Sequence, residues 1–317
     1  MVADDQIERS KRIQQQTGKT FHFATRLLPE RVRYPTYVLY AFFRVADEVV
    51  DAADTAPPAE QRAELERLRE AALGERDTDD DVLVAFAEMC DRHGIADEDV
   101  VTFVDAMETD IDRDRYDSYE ELEAYMDGSA SAVGRMMTAV MEPDDAEAAL
   151  PHATKLGEAF QMTNFIRDVG EDIVERDRIY LPRETLSTYG VTEQQLMDFE
   201  FDDDVAAAVR HELRRTEQLY KEGVAGIKLL PEDCQFAVLL AAVLYADHHR
   251  LVRERGYDTL TATPELSTAR KVSLLARTRW AWFRTKDPEA VFRRVSTVPY
   301  GDTAHSGTGH GERMPVR

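Results

Sequence analysis

Residues 39–51 read LYAFFRVADEVVD, and this short stretch decides the fold class. Tyr40, Arg44, Asp47 and Asp51 follow i, i+4, i+7 and i+11, a spacing that places all four along one edge of an α-helix. The rest of that helix is apolar, with Leu39, Phe42, Phe43, Val45, Ala46, Val49 and Val50 crowding the remaining surface. A narrow polar line on such a helix is no ordinary outer face, because its flanks would expose a large apolar area. The line is expected to face an internal cavity, where bare carboxylates are costly unless they are paired or hold a metal ion.

Residues 161–172, QMTNFIRDVGED, repeat the design. Gln161, Asn164, Asp168 and Asp172 follow i, i+3, i+7 and i+11, flanked by Met162, Phe165, Ile166, Val169 and Ile173. Arg167 and Glu171 occupy a neighbouring line, where an i,i+4 ion pair is expected. Acidic residues number 62 of 317, so a single D-x-x-x-D would by default be a solvated helix face. Two matched stripes, each enclosed by apolar residues, point instead to metal binding. Carboxylates joined by an amide, with no Cys or His among them, are hard oxygen ligands suited to Mg²⁺, with Mn²⁺ as a substitute. Magnesium keeps waters and is completed by phosphate oxygens, so Asp47, Asp51, Asn164, Asp168 and Asp172 are expected to clamp a diphosphate through metal. Departure of that diphosphate would leave a carbocation, which an aromatic-lined cavity protects and stabilises. A diphosphate head and an apolar tunnel together describe a prenyl diphosphate.

Composition supports a helical, enclosed enzyme. Gly (15) and Pro (12) are scarce, favouring long helices over turn-rich sheets. Helical periodicity runs through residues 35–53, 59–73, 79–93, 97–111, 119–141, 146–175, 203–229, 232–255 and 267–284, and no stretch shows sustained alternation. The expectation is an all-α chain with one domain over residues 1–295 and a disordered Gly/Ser/Thr/His-rich tail over 296–317. A formal charge of −23 excludes nucleic acid as a partner. It suits a salt-rich cytosol, as in a halophilic archaeon. Residues 1–12 lack the apolar core of a signal peptide, and the run 236–246 is too short to span a bilayer. Cys90 and Cys234 have no metal or redox spacing and are expected to be buried thiols. The cluster Gly128, Ser129, Ala130, Ser131, Ala132 and Gly134 is expected to permit close helix packing, leave room for a prenyl chain, or both. Asp79, Asp80 and Asp81 lack the partner aspartate of a head-to-tail elongase motif, and His248 and His249 point too far apart to share a metal.

The same stripes carry a family resemblance. Residues 19–29 (KTFHFATRLLP), 40–51 (YAFFRVADEVVD), 125–134 (YMDGSASAVG) and 164–182 (NFIRDVGEDIVERDRIYLP) resemble the squalene/phytoene synthase family, over about residues 17–281. The resemblance implies an isoprenoid-synthase-type helical bundle around a central cavity. It makes Asp47/Asp51 and Asp168/Asp172 the two Mg²⁺-carrying motifs, with Gln161 and Asn164 beside the second. It implies that Tyr40, Arg44, Tyr125, Tyr245 and Arg270 hold diphosphate or border the reacting carbons. It also places Thr20 and Phe21 near the cavity mouth, where serines are common in the family. Arg178 (with Tyr180) has two readings, a substrate contact or a support for the turn before Pro182. The motif wording is closest to the carotenoid branch, which implies head-to-head coupling of two geranylgeranyl diphosphates to phytoene through a cyclopropylcarbinyl diphosphate, without NADPH. The alternatives are a squalene-type or dehydrosqualene-type coupling of two farnesyl diphosphates, or a non-catalytic helical relative. A C40 hydrocarbon product implies a cytoplasmic enzyme with peripheral membrane association.

Overall fold

A computed structural model describes residues 23–51 and 56–300 of the chain. Thr20, Phe21 and most of the expected tail lie outside the described residues. The described helices are α1 Glu30–Asp51, α2 Pro58–Ala72, α3 Asp81–His93, α4 Asp97–Thr109, α5 Tyr119–Met126, α6 Ala132–Met141, α7 Ala146–Arg167, α8 Val169–Arg176, α9 Arg183–Thr188, α10 Glu193–Met197, α11 Asp203–Ala225, α12 Glu232–Ala246, α13 His248–Glu254, α14 Thr268–Thr285 and α15 Pro288–Val295. No strand occurs among the described residues, only an isolated parallel bridge between Arg115 and Ile179. The all-α expectation holds.

The sequence periodicity predicts α1 from residue 35, but the helix begins one turn earlier. Pro35 lies near its start, so the missing N–H removes one bond of the first turns and not one from the interior. The N–H groups of Val32 and Arg33 donate to Pro29 O and open the helix. The predicted helix over 203–229 ends at Ala225, with Ile227–Leu229 in a separate 3₁₀ turn, and three others are interrupted in their interiors. A π-turn, Asp127–Ser131, separates α5 from α6. Asp168 leaves the helical region at φ −104° and ψ 17°, dividing α7 from α8. Asp247 divides α12 from α13, its fully buried carboxylate accepting Arg250 Nη2 at 3.0 Å and Arg270 Nη2 at 2.6 Å. Helices α9 and α10 span six and five residues, too few to show a period. Helix α15 begins with Pro288 behind the Asp287 N-cap. Asp80 likewise caps α3, accepting from Val82 N at 2.8 Å, so the Asp79–Asp81 cluster has a structural use.

The tail boundary moves as well. Val298 is buried, Thr297 Oγ1 donates to Ala246 O at 3.1 Å, and Tyr300 packs edge-on against Phe292. Residues 296–300 thus pack on the helices, because two of them carry apolar side chains that find a hydrophobic face.

One continuous hydrophobic core runs from Leu28 to Val298, with α7 against α11 as the most extensive helix pair. Close approach depends on glycine. A Cβ on Gly157 would lie 2.6 Å from Ala130 O, and one on Gly223 2.7 Å from Leu156 N. In the small-residue cluster, Gly134 approaches Ala153 O, and Gly128 packs on the Thr102 carbonyl and the Ala106 methyl of α4. Ser129, Ala130 and Gly134 also line the cavity, so the cluster serves packing and volume together. Both thiols are free, Cys234 being buried and Cys90 half-buried. Gly128→Ala should force backbone apart and lower stability by about 1–3 kcal/mol, read as a reduced urea midpoint at unchanged m-value.

Candidate active site

The helices enclose a cavity of about 1050 Å³. Both stripes line it: Tyr40, Arg44, Asp47 and Asp51 from α1, and Gln161, Asn164, Asp168 and Asp172 from α7 and α8. Their apolar flanks are in the core, where Leu39, Phe42, Ala46, Met162 and Ile166 are all buried. Phe42 stacks on Phe86 with ring centroids 3.8 Å apart, which holds α1 so that its polar edge turns inward. The break at Asp168 leaves the second stripe intact, because Asp172 N still donates to Asp168 O at 2.8 Å.

The two stripes meet through arginine. Arg176 Nε donates to Asp51 Oδ2 at 2.9 Å and Arg176 Nη1 to Asp172 Oδ1 at 3.2 Å, joining one aspartate of each pair. Arg178 Nη1 donates to Asp51 Oδ1 at 3.0 Å, and its Nη2 to Asp110 O at 2.9 Å. Arg176 reaches the cavity from the last turn of α8, four residues after Asp172, and Arg178 does so because the chain reverses at Asp177, which adopts φ 51°, a left-handed conformation that Asp tolerates. The reversal is fastened by Arg178 N to Asp172 O at 3.1 Å and Ile179 N to Asp114 O at 3.0 Å. Both readings of Arg178 thus have a structural basis: it lines the cavity and belongs to this turn. Arg44 pairs with Asp47. Arg167 pairs with Asp168 and not with Glu171, because the break at 168 draws the adjacent carboxylate within its reach.

The remaining walls are aromatic. Phe165 stacks on Tyr180 at 3.8 Å, with Tyr125 at 6.4 Å from Phe165, and Tyr245 lies 4.6 Å from Phe160. All five line the cavity, together with Tyr40, Phe43 and Phe103. Arg270 is the exception among the described site residues. It is not on the cavity wall, and both its Nε and Nη2 are committed to Asp247. Lys271, its neighbour, lines the cavity instead. His248 and His249 are buried, and His249 Nε2 lies 3.0 Å from Thr163 Oγ1 in a structural network with Tyr220.

Two participants escaped the sequence reading. Asp110 accepts from Tyr125 Oη at 2.9 Å, while its buried Oδ1 has no hydrogen-bond partner and lies 3.9 Å from Arg178 Nη1. Arg176 belongs to the quoted motif, but nothing in its spacing announces the bridge it makes. A signal existed for Asp110 only as one acidic residue among 62.

Burial governs the electrostatics. It raises the Asp47 carboxyl above its ordinary range, with the Asp51 charge adding, and it raises Asp168 against the pull of Arg167. Burial and the Asp168 charge push Asp172 up to about 7. Burial pushes Asp110 to about 7 as well, despite Arg178 and Tyr125. No three His, Cys, Asp or Glu side chains among the described residues stand close enough to hold a metal ion unaided. The donor set is nevertheless all oxygen, and under-neutralised carboxylates in pairs fit a hard divalent cation that takes its other ligands from water and phosphate.

These shifts predict a pH dependence. An unfolded Asp releases its proton near about 3.9, whereas Asp110 and Asp172 in the folded chain do so near about 7. The folded state binds more protons between those values, so the metal-free protein loses stability as pH rises from about 4 to about 7. Asp110→Asn should make that decline shallower in urea titrations across this range.

Comparison with known proteins agrees with this geometry. A family model described as squalene/phytoene synthase matches residues 14–276. The phytoene synthase of Cereibacter sphaeroides is 34% identical over 272 residues, covering 82% of this chain and 76% of its own. That of Thermus thermophilus is 33% identical over 262 residues, covering 81% of this chain and 87% of its own. A dehydrosqualene synthase solved in complex with ligand superposes with a TM-score of 0.77 at 28% identity, over 86% of this chain and 94% of that one. With two aspartate stripes converging on one aromatic cavity, and this similarity over most of its length, the chain belongs to the squalene/phytoene synthase family.

Proposed function

We propose that this protein joins two geranylgeranyl diphosphates head to head, through a cyclopropylcarbinyl diphosphate, to phytoene, releasing two diphosphates and a proton. The observation that carries the reading is the Arg176 bridge between Asp51 and Asp172, which makes two aspartate pairs one site at a cavity with aromatic walls. The curated relatives named above favour the C20 substrate. The dehydrosqualene synthase structure supports a second reading, with two farnesyl diphosphates, that the same experiment separates.

Asp47, Asp51, Asp168 and Asp172, with Asn164, would hold Mg²⁺, or Mn²⁺ in its place. The bound ion would supply Lewis-acid neutralisation of the diphosphate charge. The chain's own groups do the rest. Arg44, Arg176 and Arg178 present cationic donors beside the same carboxylates and can follow a diphosphate as it departs. Tyr125, Phe165, Tyr180 and Tyr245 offer ring faces to an allylic cation and exclude water that would quench it. Burial raises the Tyr125 phenol well above its usual value, so it remains protonated and its bond to Asp110 fixes the ring. Gln161 and Tyr40 border the head-group end of the cavity. No reductant is required, because the last cation loses a proton.

The substrate and product are lipids. No helix among the described residues is long and apolar enough to cross a membrane. Peripheral association with the inner face of the membrane is accordingly part of this proposal.

Incubation with Mg²⁺ and either C15 or C20 diphosphate, with and without NADPH, should yield a C40 hydrocarbon from the C20 substrate without NADPH. C30 products alone would overturn the assignment. Asp47→Asn and Asp168→Asn should each lower turnover by about 10³-fold or more with an unchanged far-UV circular dichroism spectrum. Undiminished turnover in either variant would sink the metal-clamp role.

A further inference from the structure

Five large hydrophobic side chains stand exposed among the described residues, and three of them lie on α14: Val272, Trp280 and Phe283. They are 53%, 57% and 79% exposed, and their spacing of i, i+8 and i+11 puts them on one stripe. The opposite face of α14, with Leu274, Thr278, Ala281 and Trp282, is already buried in the core. This helix is therefore apolar on two sides, and only one side has a partner within the chain.

The charge around the stripe is opposite to that of the molecule. Residues 268–286 contain six basic residues and no acidic one, in a chain of net charge −23. Arg277, Arg279, Arg284 and Lys286 are exposed, and none forms an ion pair with a carboxylate among the described residues. The Arg284 guanidinium lies 4.4 Å from the Trp280 ring centroid, so the indole sits against a cation at the surface. An acidic chain that clears all carboxylates from one helix, and exposes Trp and Phe among arginines, presents a local cationic and aromatic face.

We propose that the outer face of α14 is the surface by which this protein docks on a bilayer containing anionic lipid. Trp and Phe settle at the depth of lipid head groups, and neighbouring Arg and Lys pair with lipid phosphates. A symmetric dimer through this face would set arginines against arginines. Position supports the bilayer too. The segment leading into α14 contributes Thr263, Pro264, Glu265, Leu266 and Ser267 to the cavity wall, and Thr268 and Lys271 at the start of α14 do so just before Val272. The exposed stripe thus starts where the cavity wall ends, a short path for a water-insoluble hydrocarbon. The choice of a bilayer as occupant rests on the peripheral association proposed above.

Flotation with phosphatidylcholine vesicles, with and without phosphatidylglycerol, tests the surface. The wild type should float with the anionic vesicles. Trp280→Ser/Phe283→Ser and, separately, Arg277→Glu/Arg279→Glu should each lower the bound-to-free ratio at least about tenfold. The first variant should keep its melting temperature and its turnover of detergent-dispersed substrate, and Val174→Ser, an exposed apolar residue on α8, should float as the wild type does. Variants that float undiminished would overturn the α14 assignment while leaving peripheral association standing. A wild type that turns over dispersed substrate but floats with neither vesicle would overturn both. A wild-type dimer dissolved by Trp280→Ser/Phe283→Ser, without flotation, would make the occupant a second copy and also overturn the proposal.

Discussion

Negative charge confined in a cavity is the constraint on which the rest of this structure depends. Four aspartates from two helices, and Asp110 from a third place in the chain, face the same enclosed space, where burial makes Asp47, Asp168, Asp172 and Asp110 costly to ionise. The fold keeps that space open by answering the charge with arginines. Arg176 spans the two pairs, Arg178 ties Asp51 to the backbone at Asp110, and Arg44 and Arg167 serve Asp47 and Asp168 individually. The match is partial, as the upward shift of Asp172 and Asp110 shows, and partial neutralisation fits the proposal that the site receives cations together with an anionic substrate.

The same constraint explains the local irregularities. Asp168 leaves the helical region between α7 and α8, and at that break its carboxylate is paired with Arg167. The left-handed Asp177 turns the chain back so that Arg178 and Tyr180 re-enter the cavity they would otherwise leave. Asp247 plays an analogous part behind the cavity. Fully buried at the α12–α13 break, it holds Arg270 and Arg250, and burial would raise its carboxyl but those bonds lower it overall. Arg270 is thereby fixed in the wall's support and Lys271 is left to the cavity, a one-residue exchange decided by which side of α14 faces Asp247.

Around the charged end, small residues set the volume. Gly134, Gly157 and Gly223 let helices approach at backbone contact, and each also lines the cavity. Close packing and empty space usually compete. Here the absence of a Cβ supplies both, because the backbone atoms meet on one side of the glycine while the cavity occupies the other.

The sequence by itself determined the helical class, the inward edges of α1 and α7, the oxygen-only donor set and the aromatic character of the walls. Each of these is a property of one helix and its period: Tyr40, Arg44, Asp47 and Asp51 share an edge wherever the helix is placed. Tertiary structure decided what those edges meet. Arg176 and Asp51 are 125 residues apart, and Arg178 and Asp110 are 68 apart, so their contacts depend on how the end of α8 and the turn after it are brought to α1 and to the end of α4. It also decided the breaks at Asp168 and Asp247, where each aspartate is tied to arginine side chains, and the fate of Arg270. The outward stripe of Val272, Trp280 and Phe283 belongs to the same class. On a helix apolar on two sides, periodicity alone does not say which side the core will take, and only packing against α12 and α15 leaves this one facing out.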